Sequence, residues 1–215
     1  MNASTTVLGT MALAILAVVV DPLWLRAGRL ITLVHETGHT LTLLLSGRWI
    51  KEIVLNRSGG HTAHDGGKLF WPADVLITFT GYAAPPIAGL FLALGVSYGW
   101  NPRTVLATLL ILLVGAVLLH GNWLGLAVMV AIGLVFAFFL WQAAPAAQIG
   151  MLGGLAWLLL LGGLRRTVEI AGRPTANSDM SRLTSLTSLH QNVWAVIYLT
   201  IAIATLVSGA RALLY

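Results

Sequence analysis

The sequence predicts an all-α, polytopic membrane protein with about six or seven transmembrane helices. Of its 215 residues, 58% are hydrophobic and only 9% are charged, whereas about a quarter of the residues of an ordinary soluble domain are charged. Apolar runs recur along the chain, and a helix needs about 20 apolar residues to cross the hydrocarbon core of a bilayer. Only short polar joints separate most of these runs. Residues 1–215 are therefore predicted to form a single transmembrane domain.

The candidate spans are the apolar runs bounded by charged or turn residues. The N-terminal run lacks the basic flank of a cleavable signal peptide and is interpreted as a retained first span. The sixth run is short and begins close to Pro145, so a count of six spans stays open. In chain order the runs cover residues 5–25, 30–47, 74–98, 103–120, 123–141, 149–164 and 192–214.

Two longer polar segments interrupt the apolar runs. Residues 48–73 first alternate apolar and polar positions and then break at paired glycines, which predicts a small hairpin or membrane-edge sheet. Residues 165–191 form the second polar segment. If the N-terminus is cytoplasmic and the chain crosses seven times, most of the basic residues fall inside, as the positive-inside rule favours. These inside residues are Arg48, Lys51, Arg57, Lys68, Arg165, Arg166, Arg173 and Arg182.

This orientation puts the C-terminal end of the second span and residues 165–191 on the cytoplasmic side. We therefore expect a multi-pass protein of the cell membrane, surrounded by the lipid bilayer. The net charge of +5 does not indicate a nucleic-acid partner, because the basic residues are scattered over several joints and form no stripe. The chain has no cysteine, so any metal must be bound by nitrogen and oxygen ligands. The oligomeric state is not indicated.

The second candidate span contains the polar stretch "HETGH" at residues 35–39. On a helix His35 and His39 project from one face, at a spacing that lets two imidazoles bind one metal ion. Glu36 points about 100° around the helix, where it can contact a water on the metal without being a ligand. This is the His-Glu-x-x-His pattern, in which zinc lowers the pKa of a water molecule and the glutamate acts as general base. Ionisable groups at mid-span cost about 2.5–3.5 kcal/mol each, which favours a functional site over simple hydrogen bonding between helices. Gly38 would let another backbone approach this site closely.

At these residues the chain resembles the M50B-like branch of the site-2-protease-type intramembrane zinc metallopeptidases. The resemblance extends over most of the chain from about residue 30 and also rests on "GYAAPPIAGLFLAL" in the third span. It implies that His35 and His39 bind zinc, that Glu36 is the catalytic residue, and that the substrate is a transmembrane segment of another protein, such as a membrane-anchored regulator. The resemblance also includes a late "SD...L...T......W" pattern, formed here by Ser178, Asp179, Leu183, Thr187 and Trp194.

The resemblance also implies a third zinc ligand, an aspartate on a later helix. The usual Leu-Asp-Gly and Asn-Pro-Asp-Gly contexts are absent, and Met180 stands where better-known members have glycine. Asp179 is favoured because it precedes an apolar helix on the expected side of the membrane and because hydrolytic zinc requires three ligands and one open position. The alternative is that Asp179 caps the helix that begins near Met180. The other aspartates outside the motif are Asp21, Asp65 and Asp74.

Other polar residues could also contribute to the same site. His61, His64 and Asp65 form a loop that could bind a metal or close over the site, but the flanking glycines favour a solvated turn. Pro85 and Pro86 predict a broken helix lining the site. The group that stabilises the oxyanion is unassigned, with Tyr82 as the single candidate. His120 and His190, at span ends, are interpreted as structural.

The function predicted from these features is hydrolysis of a peptide bond in or near a transmembrane segment, with residues 48–73 receiving the opened substrate by strand pairing. Two alternatives remain. The first is an inactive or regulatory relative that binds a metal and membrane partners. The second is a metal transporter, which would need more ionisable residues along its spans than this chain has.

Overall fold

The computed structural model describes residues 3–55, 60–64, 70–119, 121–173 and 178–215. Within these ranges the chain forms helices and one pair of strands. The N-terminal helices are α1 (Ala3–Val19) and α2 (Asp21–Leu45), and the strands are β1 (Ile50–Leu55) and β2 (Gly60–His64). The remaining helices are α3 (Trp71–Ser97), α4 (Pro102–Leu118), α5 (Trp123–Gln142), α6 (Pro145–Gly172), α7 (Asp179–Thr187) and α8 (Gln191–Leu214).

Four of the described helices, α3, α5, α6 and α8, are long and apolar enough to cross a bilayer. A fifth crossing is counted if α1 and α2, which meet at a bend of 103°, are one broken span. Helix α4 is apolar but has 17 residues, fewer than the about 20 that a span needs. The chain is therefore a mainly helical, multi-pass integral membrane protein, but the predicted count of six or seven spans is not confirmed.

The boundary between the first two runs lies at Val20 and not at residues 26–29, where we predicted it. Arg165 of α6 explains this position, because its guanidinium donates to the carbonyl of Val18 and, over 2.7 Å, to Asp21 Oδ1. The same guanidinium lies 4.7 Å from the centre of the Trp24 ring. Arg165 thus joins the end of α1 to the start of α2.

Helix α6 spans 28 residues, so the predicted span at 149–164 was too short at both ends. Pro145 suits the first turn of a helix, where no backbone N–H is needed. At the other end, Arg165 and Arg166 both pair with Glu169 across one turn, at 2.8 and 3.2 Å. The first part of the polar segment 165–191 is therefore the last part of α6.

Helix α3 runs without a break through Pro85 and Pro86, so the predicted break at "GYAAPP" was wrong. The ring of Pro86 fits against α6 because Gly163 lies opposite it. A Cβ built on Gly163 would lie 2.8 Å from Pro86 Cδ. Because α3 is long and unbroken, it runs alongside the whole His-Glu-x-x-His motif of α2.

Strands β1 and β2 pair antiparallel, with Ile53 opposite Thr62 and Leu55 opposite Gly60. The outer edge of β1 is occupied, because the N–H of Ile53 donates to the carbonyl of Leu119 and Gly121 N–H donates to the carbonyl of Ile53. The side chain of Asn122 also pairs with both backbone groups of Leu55, at 3.2 and 2.7 Å.

This pairing determines the direction of the β2 backbone. In an antiparallel pair, two opposite residues either exchange backbone hydrogen bonds with each other, or both direct their backbone N–H and C=O groups away from the partner strand. The hydrogen bonds above show that Ile53 and Leu55 direct their backbone groups away from β2. The backbone groups of Thr62 and Gly60 therefore point to the opposite side. In the described part of the chain the sheet has two strands, so β2 provides its open edge.

Candidate metal centre

Helices α2 and α3 cross closely at Gly38. A Cβ built on this residue would lie 2.6 Å from Ala84 Cβ and 2.8 Å from the carbonyl oxygen of Thr80. One turn further, Thr42 Oγ1 donates to Thr80 Oγ1 over 3.0 Å. The prediction that Gly38 admits a neighbouring backbone is confirmed, and the close crossing places the His-Glu-x-x-His face of α2 against α3.

Three donor atoms meet beside this crossing. The Nε2 atoms of His35 and His39 are 3.1 Å apart, and Asp179 Oδ2 lies 3.0 Å from His35 Nε2 and 3.2 Å from His39 Nε2. Tetrahedral zinc, with bonds of about 2.0–2.2 Å, separates its ligand atoms by about 3.3–3.6 Å. The triangle therefore fits such an ion after adjustments of a few tenths of an ångström and leaves a fourth position open. Among the described residues, these three form the group that could hold a metal ion.

The hydrogen bonding of His39 also suits a cation. Its Nδ1 lies 2.7 Å from the carbonyl oxygen of Ile77, and a carbonyl can only accept, so Nδ1 carries a proton. In the neutral ring this leaves a lone pair on Nε2, the atom that faces His35 and Asp179. Lone pairs that face one another repel unless a cation lies between them. A backbone partner of this kind is also what fixes the ring of a metal-binding histidine.

Asp179 begins α7 but is not its cap. The N-cap is Ser178, whose side chain accepts from the N–H of Ser181. The carboxyl oxygen Oδ2 of Asp179 instead lies 3.0 Å from His35 Nε2 and 3.2 Å from His39 Nε2. The side chain is therefore directed at the two histidines, which disfavours the capping alternative.

Helix α7 is held in place from two sides. Arg182 Nη2 contacts Asp74 Oδ1 of α3 at 2.7 Å, and Trp71 Nε1 donates to the carbonyl of Leu186 over 2.6 Å. From α8, Trp194 Nε1 donates to Thr187 Oγ1 over 3.3 Å. These bonds give Asp74 a structural partner and bring Thr187 and Trp194 of the late sequence pattern into contact.

Glu36 lies next to the donor triangle and is only 2% exposed. Thr62 of β2 donates its hydroxyl to Glu36 Oε2 over 2.8 Å. A cavity of about 240 Å³ joins Glu36, the three donor residues and β2. His61 and His64 line the same cavity but do not belong to the metal-binding group; Asp65 and His120 lie outside the described residues.

Comparison with known proteins agrees with this arrangement. The family model described as "Peptidase M50B-like" matches residues 8–209, nearly the whole chain. The chain belongs to the M50B-like peptidase family. Membership points to a metallopeptidase and confirms the resemblance drawn from the motifs. No curated protein and no solved structure matches the sequence.

In this M50B-like chain, Tyr82 links His35 to an aromatic cluster. Tyr82 packs edge-on against the His35 ring, with centroids 4.6 Å apart, and against Tyr198 at 5.5 Å. Tyr198 in turn donates its hydroxyl to the carbonyl of Phe79 over 3.0 Å. These contacts orient the imidazole, while a role for Tyr82 at the oxyanion stays a prediction. His190 accepts from the N–H of Asn192 at the start of α8, a structural role.

Sequence reasoning missed two residues of the M50B-like site, Thr62 and Gly81. A Cβ built on Gly81 would lie 2.5 Å from His39 Nε2 and 2.7 Å from Asp179 Oδ2. Only glycine therefore lets α3 pass this close to the donor atoms. A glycine at the start of "GYAAPP" was a visible signal, but its meaning depends on which helix packs against it.

Replacing Gly81 with alanine is expected to weaken zinc binding by about tenfold or more, because the methyl group must displace two donor side chains in a tightly packed site. Zinc affinity measured by competition with a chromophoric chelator tests this. Gly115→Ala on α4 is the matched control, since a Cβ there meets nothing within 4 Å. An alanine at residue 81 that binds zinc as tightly as the control would contradict the close packing.

Proposed function

We propose that this M50B-like protein is an intramembrane zinc metalloprotease that hydrolyses a peptide bond in or near the transmembrane segment of another membrane protein. The observation that carries the proposal is the meeting of His35, His39 and Asp179 beside Glu36 at one cavity. The family membership supports a peptidase reaction. The proposed location is the cell membrane, with the site near the cytoplasmic side, where the positive-inside rule places most basic joints.

Each residue of the site has its own role in the proposed reaction. His35, His39 and Asp179 would hold the zinc ion, which when bound supplies a Lewis acid and lowers the pKa of a water molecule to near 7. Glu36 is outside the donor group, so its carboxylate is free to take a proton from water and later to deliver one to the leaving amine. The N–H of His39 Nδ1 keeps its ring oriented by donating to Ile77.

The cavity supplies what hydrolysis within a bilayer needs. Its volume of about 240 Å³ accommodates several water molecules, each of which occupies about 30 Å³ in the liquid. Polar side chains from α2, β2, α3 and α7 line it. Water in the cavity can therefore form hydrogen bonds with side chains of all four elements.

Chelation tests this function directly. Purified protein in proteoliposomes is expected to cleave a labelled transmembrane substrate, to lose at least about 90% of the rate when a chelator removes the metal, and to regain it with added Zn²⁺. Product is measured by gel and mass spectrometry. Cleavage that resists complete metal removal would reject the metalloprotease.

The substrate strand is proposed to pair with β2. A peptide bond inside a helix is shielded, so the substrate must open into an extended form, which an exposed sheet edge can receive. The outer edge of β1 is already occupied by Leu119, Gly121 and Asn122. Proline substitutions within residues 50–55 would therefore break the sheet itself, and the open edge at Gly60 and Thr62 is the better receiving site.

Backbone methylation of the substrate distinguishes this mode of binding. N-methylation of alternate residues near the scissile bond is expected to raise KM about tenfold at one set of positions and to leave the other set unaffected, because only every second N–H of a strand faces the edge. A series of singly methylated peptides gives the pattern. Equal effects at all positions would argue against strand pairing.

A further inference from the structure

Strand β2 makes a direct contact with the proposed general base. The hydroxyl of Thr62 lies 2.8 Å from Glu36 Oε2 and 3.4 Å from the backbone oxygen of Glu36. A hydroxyl has one proton to donate, and the nearer, charged oxygen is the stronger acceptor. Thr62 therefore forms a charge-assisted hydrogen bond with a carboxylate that is 2% exposed.

Gly60 makes this contact possible. It lies two residues before Thr62, on the same face of the strand. A Cβ built on Gly60 would lie 2.8 Å from Glu36 Oε1 and 2.9 Å from the carbonyl oxygen of Val54. A larger residue at this position would move β2 away from α2 and take the Thr62 hydroxyl out of reach of the carboxylate.

We propose that Thr62 is a positioning residue for the reaction. Its hydroxyl holds Glu36 Oε2 and fixes the rotamer in which the carboxylate exchanges protons. The backbone of Thr62 faces the edge of the sheet that lies away from β1, while its side chain holds the base. One residue therefore connects the strand proposed to receive the substrate with Glu36. This role rests on the proposed function, in which Glu36 is the general base.

The test compares three variants of the full-length, zinc-loaded protein. Thr62→Val has nearly the same shape but no hydroxyl, and Thr62→Ser keeps the hydroxyl. Thr205→Val on α8 is the matched control, because the hydroxyl of Thr205 donates to the carbonyl of Ile201 within its own helix, over 2.8 Å, and Thr205 does not line the cavity. For each variant, kcat and KM for a transmembrane substrate and the zinc content are measured.

Thr62→Val is expected to lower kcat about tenfold or more, the loss typical for a hydrogen bond to a charged group, with KM and zinc content unchanged. Thr62→Ser should restore most of kcat, and Thr205→Val should resemble wild type. A wild-type kcat in Thr62→Val, equal losses in the valine and serine variants, or loss of zinc in Thr62→Val would each overturn the positioning role.

Thermal unfolding provides a readout that does not depend on catalysis. Thr62→Val is expected to lower the midpoint in the wild-type background and to lower it less when Glu36→Ala has removed the acceptor. Equal shifts in both backgrounds would overturn the contact. If the shifts differ but wild type cleaves no substrate, the proposed function fails, while the contact between Thr62 and Glu36 stands.

Discussion

Replacement of Glu36 by glutamine is expected to abolish proteolysis without removing the metal. Glutamine has the same shape and can still accept the hydroxyl of Thr62, so the packing of β2 on α2 is retained. An amide cannot take a proton from water, and the loss of a general base lowers the rate by about 10²–10⁴-fold. Because Glu36 is outside the donor group, zinc content should stay at the wild-type value. Cleavage rate and metal analysis on the same preparation test both statements.

Glu52→Gln on β1 is the matched control. A Cβ built on Gly121 would lie 2.5 Å from Glu52 Oε2, so this carboxylate lies beside Gly121. The Glu52→Gln variant should cleave at the wild-type rate. Wild-type activity in Glu36→Gln would show that another group is the base. A wild-type protein that binds zinc but cleaves no substrate would favour the inactive or regulatory relative that the sequence left open.

The parts of the site that the sequence predicted are local ones. His35, Glu36 and His39 lie within five residues of one another, so helical geometry alone places their side chains. Asp179 is 140 residues from His39, and periodicity cannot connect the two. Its selection needed the resemblance to a family, and the structure then brought its carboxylate to the histidines.

The residues that the sequence did not reveal act through neighbours on other elements. Gly81 matters because α3 presses against His39 and Asp179, and Thr62 matters because β2 crosses over Glu36. Neither relation leaves a pattern in the chain, since a glycine in an apolar helix and a threonine in a strand are ordinary residues. The position of β2 over α2, which brings Thr62 to Glu36, could be known only from the structure.

The fold shows the same division. Composition and the apolar runs predicted a helical membrane protein, which length and hydropathy in the structure support. The helix ends were predicted less well, because they depend on contacts between elements. Arg26 and Arg29 suggested a joint, yet both lie inside α2, and the break occurs at Val20, where Arg165 binds the end of α1.

The second large effect is expected at Asp179. Asparagine keeps the size of the side chain, but a neutral amide is a much weaker zinc ligand than a carboxylate and removes the charge that faces the two histidines. Zinc affinity should therefore fall more than about 100-fold, beyond the range typical of residues that only support a ligand. Proteolysis should be lost together with the metal, in contrast to Glu36→Gln, which loses proteolysis alone.

Asp21→Asn is the control for the Asp179 experiment, since Asp21 Oδ1 pairs with Arg165 at 2.7 Å and its side chain is 81% exposed. Affinity is measured by chelator competition, and thermal unfolding of the metal-free proteins shows whether α7 still packs. An Asp179→Asn protein that folds and binds zinc as tightly as Asp21→Asn would place the third ligand elsewhere. Because Arg182, Trp71 and Trp194 hold α7 through bonds that do not involve Asp179, the variant is expected to fold, and any loss of zinc can then be assigned to the carboxylate itself.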